Sequence, residues 1–452
     1  MNEQKENKMG TMPVGKLIVN ISLPLMVSML AQALYNVVDS LFVSRISENA
    51  LTAVSIAFPI QNLMIAIAVG TGVGINAFLS KSLGEKNKEN VDLAANNGIF
   101  LAFVSYIVFM SFTLFLSSFY FKSQTDISEI VTDGEIYIRI CALGCIGVFM
   151  QITLGRLLQS TGKAVFAMLT QFTGALINII FDPILIFGLF GFPKLGMAGA
   201  AIATLMGQIF GTIIALYFNL KFNNEITLKI KGFRPDIKTI KRIYSVGFPA
   251  IVMQAVSSVM IFGMNNILLS FSSTATAVFG IYFKLQSFIV LPVIGLNNGI
   301  VPIIAFNYGA RHKERIIKTI KISILSAFII TFMGMVIFHT FPGQILELFK
   351  ASENMLKIGI PALKTMSLCF IFASFSIVMI AVFQAFSKGF YSLWVSLLRQ
   401  MFVLLPVAYL FSKSGNINLV WWAFPIGEIA SLLLAIVLLK RLYREKIINM
   451  PD

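Results

Sequence analysis

Apolar runs of roughly 20 or more residues recur along this chain from Leu17 to Leu439, separated by short polar segments. A helix rises about 1.5 Å per residue, so each run is long enough to cross the roughly 30 Å hydrocarbon layer of a bilayer. We place twelve spans, at 16–44, 50–80, 91–120, 134–158, 163–188, 196–219, 239–270, 275–306, 316–343, 357–386, 389–412 and 418–443. No stretch outside them is long enough for a separate soluble domain. The pattern predicts an all-α integral membrane protein with twelve transmembrane helices. Met1 to Gly15 followed by the first run resembles a secretory signal only superficially. The run is too long, contains Pro24 and lacks a small-residue cleavage site, so it is read as the first span.

The polar positions inside the runs repeat. With the sequence shifted by 225 residues, Lys16 meets Lys241, Pro24 meets Pro249, and Gln61 meets Gln286. Gly70, Gly74 and Gly84 meet Gly295, Gly299 and Gly309, Lys88 meets Lys313, and Gln159 and Lys163 meet Gln384 and Lys388. Chance similarity between apolar segments supplies Leu and Ile matches more readily than these. Each half has six spans, an even number, so both halves enter the membrane in the same orientation. Such parallel repeats are related by an axis along the membrane normal, with a substrate path expected between them. We divide the chain into an N-terminal lobe at 1–221, a polar, basic linker at 222–238, and a C-terminal lobe at 239–452.

Composition agrees with a membrane protein, with 57% hydrophobic and only 12% charged residues. The net charge of +15 could suggest a nucleic-acid partner, but its distribution argues for topology. One alternate set of connections carries Lys5, Lys8, Lys16, Lys81, Lys86, Lys88, Arg156, Lys163 and Lys388. It also holds clusters from Lys221 to Arg242, Arg311 to Lys321, and Lys440 to Lys446. The opposite set has only Arg45, Lys122, Lys194, Lys350, Lys357 and Lys413. Basic connections stay in the cytoplasm, so both termini are expected there, in a multi-pass protein of a bacterial cell (inner) membrane. Cys141, Cys145 and Cys369 lie in apolar sequence and read as buried small hydrophobes.

Two carboxylates stand out against this background, Asp39 in SMLAQALYNVVDSLFVS and Asp182 in GALINIIFDPILIFG. Acids within spans are expensive and usually face a protein interior or an aqueous path. The first and fifth spans run in the same direction, which places Asp39 and Asp182 at similar depth near the outer ends. Asn178 shares the face of Asp182, four residues earlier. Pro183 lacks an N–H and frees a carbonyl near Ile179. Gln32, Tyr35 and Asn36 add polar groups to the first span, and Thr204 adds a hydroxyl to the sixth, whose start GMAGAAIATLMGQ permits close helix approach.

This oxygen-rich set suits Na⁺, as a metal site made by Asp39, Asn178, Asp182 and Thr204, and it suits a proton equally well. Two neighbouring carboxylates in low dielectric cannot both ionise cheaply, so they are expected to titrate as a pair. A static bridge to Arg139, Lys284, Lys364 or Arg399 is the structural alternative. The C-terminal lobe carries Met264 and Val407 at the positions equivalent to Asp39 and Asp182, so ion coupling would belong to the N-terminal lobe. Glu428 is a third intramembrane acid, for which a helix contact and a transport role compete. Gly70, Gly72 and Gly74 lie inside an apolar span without a preceding strand or a phosphate-loop lysine, so they are read as packing residues. The chain has no nucleotide-hydrolysis motif, and neither an enzyme activity nor a cofactor is expected.

The sequence resembles the multidrug and toxic compound extrusion (MATE) family over essentially its whole length. The resemblance rests on the two six-span halves, on Pro24 followed by Asp39, and on the Gly-rich second span ending in LSKSLGEKN. Its most specific part is LQSTGKAVFAMLTQFTGALINIIFDPILIFG followed by GMAGAAIATLMGQ, and the acid pattern is similar to the DinF-like branch. The resemblance implies a V-shaped pair of six-helix lobes exporting amphipathic or cationic compounds in exchange for H⁺ or Na⁺. Carried onto this chain, the cation-coupling residues are Asp39, Asn178, Asp182 and Thr204, with the backbone near Ala200. Gln32, Tyr35, Asn36 and Tyr137 line the adjacent substrate cavity, and Pro24 lets the first helix bend. The C-lobe acids of the NorM-like branch are absent from the seventh span. The partners implied are small amphipathic substrates and the lipid bilayer, without nucleic acid, for a monomeric protein. A lipid-linked glycan flippase of the same broader fold is the alternative, and an intramembrane transferase a more distant one. The former would want a strongly basic cavity. The latter would want a catalytic motif that His312 and His339 do not supply.

Overall fold

The computed structural model describes residues 7–229, 232–349, 351–448 and 450. Lys5, Lys231 and Lys350, used above for orientation, lie outside the described residues. Among the described residues every regular element is helical. The first half comprises α1 (Val14–Ser44), α2 (Glu48–Gly84), α3 (Lys88–Gln124), α4 (Ser128–Gly144), α5 (Ile146–Ser160), α6 (Ala164–Phe187) and α7 (Met197–Phe222). The second comprises α8 (Ile237–Leu269), α9 (Ser273–Gly309), α10 (Lys313–Thr340), α11 (Glu353–Ser367), α12 (Cys369–Ala385), α13 (Gly389–Ser412) and α14 (Ala423–Leu442).

In hydrocarbon every backbone N–H and C=O must be satisfied within the segment, which makes helices of these runs. Turn residues set where they start. Ser47 accepts from the Ala50 N–H at the head of α2, and Ser272, its partner in the repeat, accepts from the Ala275 N–H at the head of α9. Each hydroxyl satisfies one of the orphan donors of a first turn. Helix α6 ends at Gly188, whose φ of 74° is a left-handed value that a side chain would strain.

Among the described residues ten helices are long and apolar enough to cross a membrane, and two bent pairs bring the total to twelve if each pair is one span. The expected fourth and tenth spans are therefore not straight. Helices α4 and α5 meet at 45°, and α11 and α12 at 44°, at corresponding places in the repeat. At each bend one N–H bonds three residues back instead of four: Cys145 to the Ala142 carbonyl, and Leu368 to the Thr365 carbonyl. Such a tightened turn redirects the axis while keeping the backbone satisfied. Helix α1 and its counterpart α8 continue as helices through Pro24 and Pro249. Helix α13 contains a π-helical segment, Leu398–Leu404, in which the Leu405 N–H reaches back five residues to the Gln400 carbonyl. Pro406 follows directly and cannot bond to Phe402, so the wider turn accommodates a missing donor.

Packing divides the chain into two compact units, Val27–Gly247 and Met1–Met26 with Phe248–Asp452. The opening turns of α1 thus pack with the later helices, and those of α8 with the earlier ones. In the first unit α6 and α7 approach closely through small residues. A Cβ on Gly199 would lie 2.6 Å from the Leu185 carbonyl, and one on Gly174 would lie 3.0 Å from the Gly207 carbonyl oxygen. The repeated glycines have the same use. Gly74 lies against the Ile243 backbone in this unit, and Gly299 against Ser22 in the other. The linker is pinned to α3: Asp92, Asn96 and Asn97 accept from the backbone N–H groups of Thr227, Lys229 and Asp236 at 2.7, 2.7 and 2.9 Å. The second unit is built on an aromatic and aliphatic core around Trp421, Tyr282, Phe279 and Phe370. Arg315 there donates to the Met9 and Met12 carbonyls at 2.9 and 2.8 Å, and so holds the chain ahead of α1.

Candidate ion-coupling site

In the unit Val27–Gly247, the last turns of α1 and α6 each present one acid. Asp182 is fully buried, and Asn178, one turn earlier on α6, is 2% exposed. Asp39 approaches Asp182 within hydrogen-bonding reach, so the two carboxyl groups share one site. The Asp39 Oδ1 atom is buried without a hydrogen-bond partner.

The close approach of α6 and α7 lets Asn178 reach Thr204. With its amide nitrogen toward the acid, Asn178 donates to Asp182 Oδ2 at 2.8 Å, and its oxygen accepts from the Thr204 hydroxyl and N–H, each at 3.1 Å. Tyr35 on α1 stands beside the Thr204 side chain. The result is a directed chain, Thr204 to Asn178 to Asp182, that ends on a carboxyl group. The Thr204 N–H would otherwise bond only the Ala200 carbonyl, four residues back. Sharing it leaves that buried carbonyl with acceptor capacity. Pro183 does the same for the Ile179 carbonyl.

Neither acid forms an ion pair among the described residues. Two of the four candidate bases are engaged elsewhere: Arg139 pairs with Glu135 at 3.1 Å and donates to Ser117, and Arg399 pairs with Glu428 at 3.0 Å. Lys284 and Lys364 belong to the other unit. A proton, or a hard cation held by two carboxylates and neutral oxygens, is therefore what the donor set can accept. No cluster of three or more His, Cys, Asp or Glu capable of holding a metal occurs among the described residues.

The proposed cavity residues separate into two kinds. Gln32 and Asn36 share the Asp39 face by helical spacing and are exposed. Tyr137 on α4 is buried, and its hydroxyl oxygen accepts from Gln61 Nε2 on α2 at 3.0 Å. Gln61 also lies 3.9 Å from Cys141 Sγ. In the sequence Gln61 stands out only as a repeat match and Cys141 only as a small hydrophobe. The available signal is a pair of adjacent amides, Gln61 and Asn62, beginning two residues after Pro59 in an apolar run.

At the equivalent positions of the other unit, Met264 is fully buried and Val407 packs in the same apolar core. The Glu428 acid there is neutralised by Arg399, and its second oxygen accepts from Ser431 at 3.2 Å. Ser431 also meets Ser376 at 3.0 Å. All three cysteines are free and buried.

Comparison with known proteins bears on the family, the repeat and the fold. The MatE family model matches residues 24–184 and again residues 249–410, two stretches whose starts differ by the 225-residue repeat offset. The multidrug export protein MepA of Staphylococcus haemolyticus is 26% identical over 422 residues, covering 93% of this chain and 92% of that protein. MepA of Staphylococcus aureus (strain MSSA476) is 24% identical over 435 residues, 95% of each. A solved outward-facing multidrug resistance MATE family transporter of the MOP superfamily superimposes with a TM-score of 0.91 at 25% identity, covering 98% of both chains.

Proposed function

Because the chain belongs to the MatE family of multidrug efflux transporters, we propose that it exports amphipathic or cationic organic compounds in exchange for H⁺ or Na⁺. The observation that carries this reading is the contact between Asp39 and Asp182, two acids on different helices that form no ion pair with a base among the described residues. A pair of this kind takes up one positive charge at far lower cost than it keeps two negative ones. Loading by an ion from outside, and its release inside, would alternate the pair between two charge states. The chain Thr204–Asn178 holds Asp182 in place while Asp39, on the Pro24-containing helix, responds. Substrate would engage Gln32, Asn36 and the tyrosines. The coupling would belong to the Val27–Gly247 unit, since Met264 and Val407 offer no oxygen to an ion. The acid pattern also supports the DinF-like branch, and the distribution of basic connections supports a cytoplasmic position for both termini.

The test is dye efflux from proteoliposomes under separately imposed H⁺ and Na⁺ gradients. Asp39→Asn and Asp182→Asn are each expected to abolish gradient-driven efflux, with a melting temperature in detergent no lower than that of the parent. Efflux at the parent rate by both variants would remove the proposed coupling role. Dependence on one gradient alone identifies the ion.

A further inference from the structure

The end of α3 remote from the linker and the first turns of α4 enclose an open cavity of about 670 Å³ in the unit Val27–Gly247. Small-ligand sites span roughly 300–1,000 Å³. The two helices meet beside it because Gly134 has no side chain: a Cβ there would overlap the buried Phe121 ring. Four charged side chains line the cavity, Lys122, Asp126, Glu135 and Arg139, two of each sign. They do not all satisfy one another. Arg139 pairs with Glu135 through Nη2 at 3.1 Å and donates from Nε to the buried Ser117 hydroxyl at 3.1 Å. Its Nη1 group has no partner among the described residues. Lys122 and Asp126 form neither an ion pair nor a side-chain hydrogen bond among them. The cavity thus offers donors to an anion and carboxylates to a cation, with no net charge.

Its walls continue into the apolar surface of the helices. On α3, Val108, Phe112, Phe115 and Phe119 precede Lys122 at three- and four-residue spacing and are between 60% and 86% exposed. On α4, Ile136 and Leu143 are exposed on either side of Arg139 at the same spacing. We propose that the cavity holds the headgroup of a phospholipid with a zwitterionic, primary-amine head, phosphoethanolamine. Its phosphate meets Lys122 and Arg139, its ammonium meets Asp126 and Glu135, and its acyl chains lie along the two apolar columns. A glycerol headgroup carries a net negative charge and leaves both carboxylates unserved. A choline headgroup is zwitterionic, but its quaternary nitrogen has no N–H to donate. The lipid would tie the end of α3 to the start of α4, the first arm of a bent pair. The assignment does not depend on Asp39 or Asp182.

The repeat shows that these charges are not a by-product of the fold. Glu347, Ala351 and Ile360 stand at the positions equivalent to Lys122, Asp126 and Glu135. Only Arg139 has a basic counterpart, Lys364. The second half therefore keeps one cation and lacks both carboxylates that would receive an amine.

The experiment uses the full chain in detergent micelles and native mass spectrometry, which gives the Kd of the first lipid bound. Dioleoyl phosphatidylethanolamine, phosphatidylcholine and phosphatidylglycerol are compared, so that only the headgroup varies. The parent is expected to hold phosphatidylethanolamine about tenfold more tightly than the other two, the effect of a hydrogen bond to a charged group. Asp126→Asn should lose most of that preference while binding phosphatidylglycerol no more weakly than the parent does. Lys122→Gln should weaken all three. Both variants should melt like the parent without added lipid, since neither side chain has a partner to lose. Equal parental affinities for the three lipids, or an unchanged preference in Asp126→Asn, would overturn the proposal. The parental series decides alone if a variant fails to fold. Soluble phosphoethanolamine is the remaining arm. It should bind about a hundredfold more weakly than the lipid, because it buries no acyl chain. Binding as tight as the lipid's would mean that the cavity takes a free phosphoamine, and the lipid assignment would fall.

Discussion

Asn178 and Asp182 lie one turn apart on α6, and the Asn178 amide donates to Asp182 Oδ2 at 2.8 Å while accepting twice from Thr204. Both side chains are almost completely buried. The amide is therefore the only link in the directed chain that touches an acid. Asn178→Leu should leave Asp182 short of one donor and Thr204 short of one acceptor. A hydrogen bond to a charged group contributes on the order of 1.5–3 kcal/mol, so a loss of about tenfold or more in efflux rate is expected. Asn178→Asp would put a third carboxyl in the site and should raise the ion concentration needed for half-maximal transport. Concentration dependence in proteoliposomes checks both variants, and unchanged kinetics in both would show that Asn178 is packing alone.

Pro24 and Asp39 stand on one continuous helix, fifteen residues or about four turns apart. The proline removes one backbone bond, which makes bending there less costly than in an uninterrupted helix. Pro24→Ala is expected to slow turnover more than it weakens dye binding. Parallel measurement of binding and transport tests this. Equal losses in both would indicate a static role, as would spin-label distances from α1 to α6 that stay constant across pH and Na⁺ during demonstrated transport.

Arg399, on the π-helical segment of α13, and Glu428, on α14, form a partly buried ion pair at 3.0 Å. Removing one member leaves an uncompensated charge, whereas replacing both by apolar residues does not. Glu428→Ala should destabilise the protein by roughly 3–5 kcal/mol, and the Arg399→Met/Glu428→Leu double should recover most of that loss. Melting in detergent measures it. A double variant no better than the single would mean that the pair is not a closed unit, and would direct attention to Ser431 and Ser376.

Asp236 opens α8. Its carboxylate accepts from the Thr239 side chain and from the Thr239 N–H, the latter at 2.8 Å, which holds its pKa below the ordinary aspartate range. Its own N–H donates to Asn97, so it also closes the linker. A depressed carboxylate pKa means that the stabilisation is present above about pH 4, the unfolded value, and is lost as the pH falls through the folded one. Hydrogen exchange at Thr239 and Ile240, corrected for intrinsic rates, should be slow at neutral pH and accelerate below about pH 4. Asp236→Ala should be fast throughout. Slow exchange in Asp236→Ala would show that the cap contributes nothing.

The sequence by itself determined the helices, the two halves and the two acids. A hydrocarbon environment leaves the chain few options, because each span must satisfy its own backbone and be apolar along its length. Those demands are local, so they are written residue by residue, as are the cost of Asp39 and Asp182 and the repeated glycines. Tertiary structure decided what the polar groups do. Gln61 and Tyr137 are 76 residues apart, and Arg399 and Glu428 are 29. Nothing along the chain says that they meet, or in which direction their hydrogen bonds run. The bends at Cys145 and Leu368 were equally hidden, because a turn that closes three residues back needs no breaker residue of its own. Asn178 reaches Thr204 only because Gly174, Gly199 and Gly207 let α6 and α7 come together. A glycine in a sequence marks such an approach, but only the packed partner shows which side chains it brings within range.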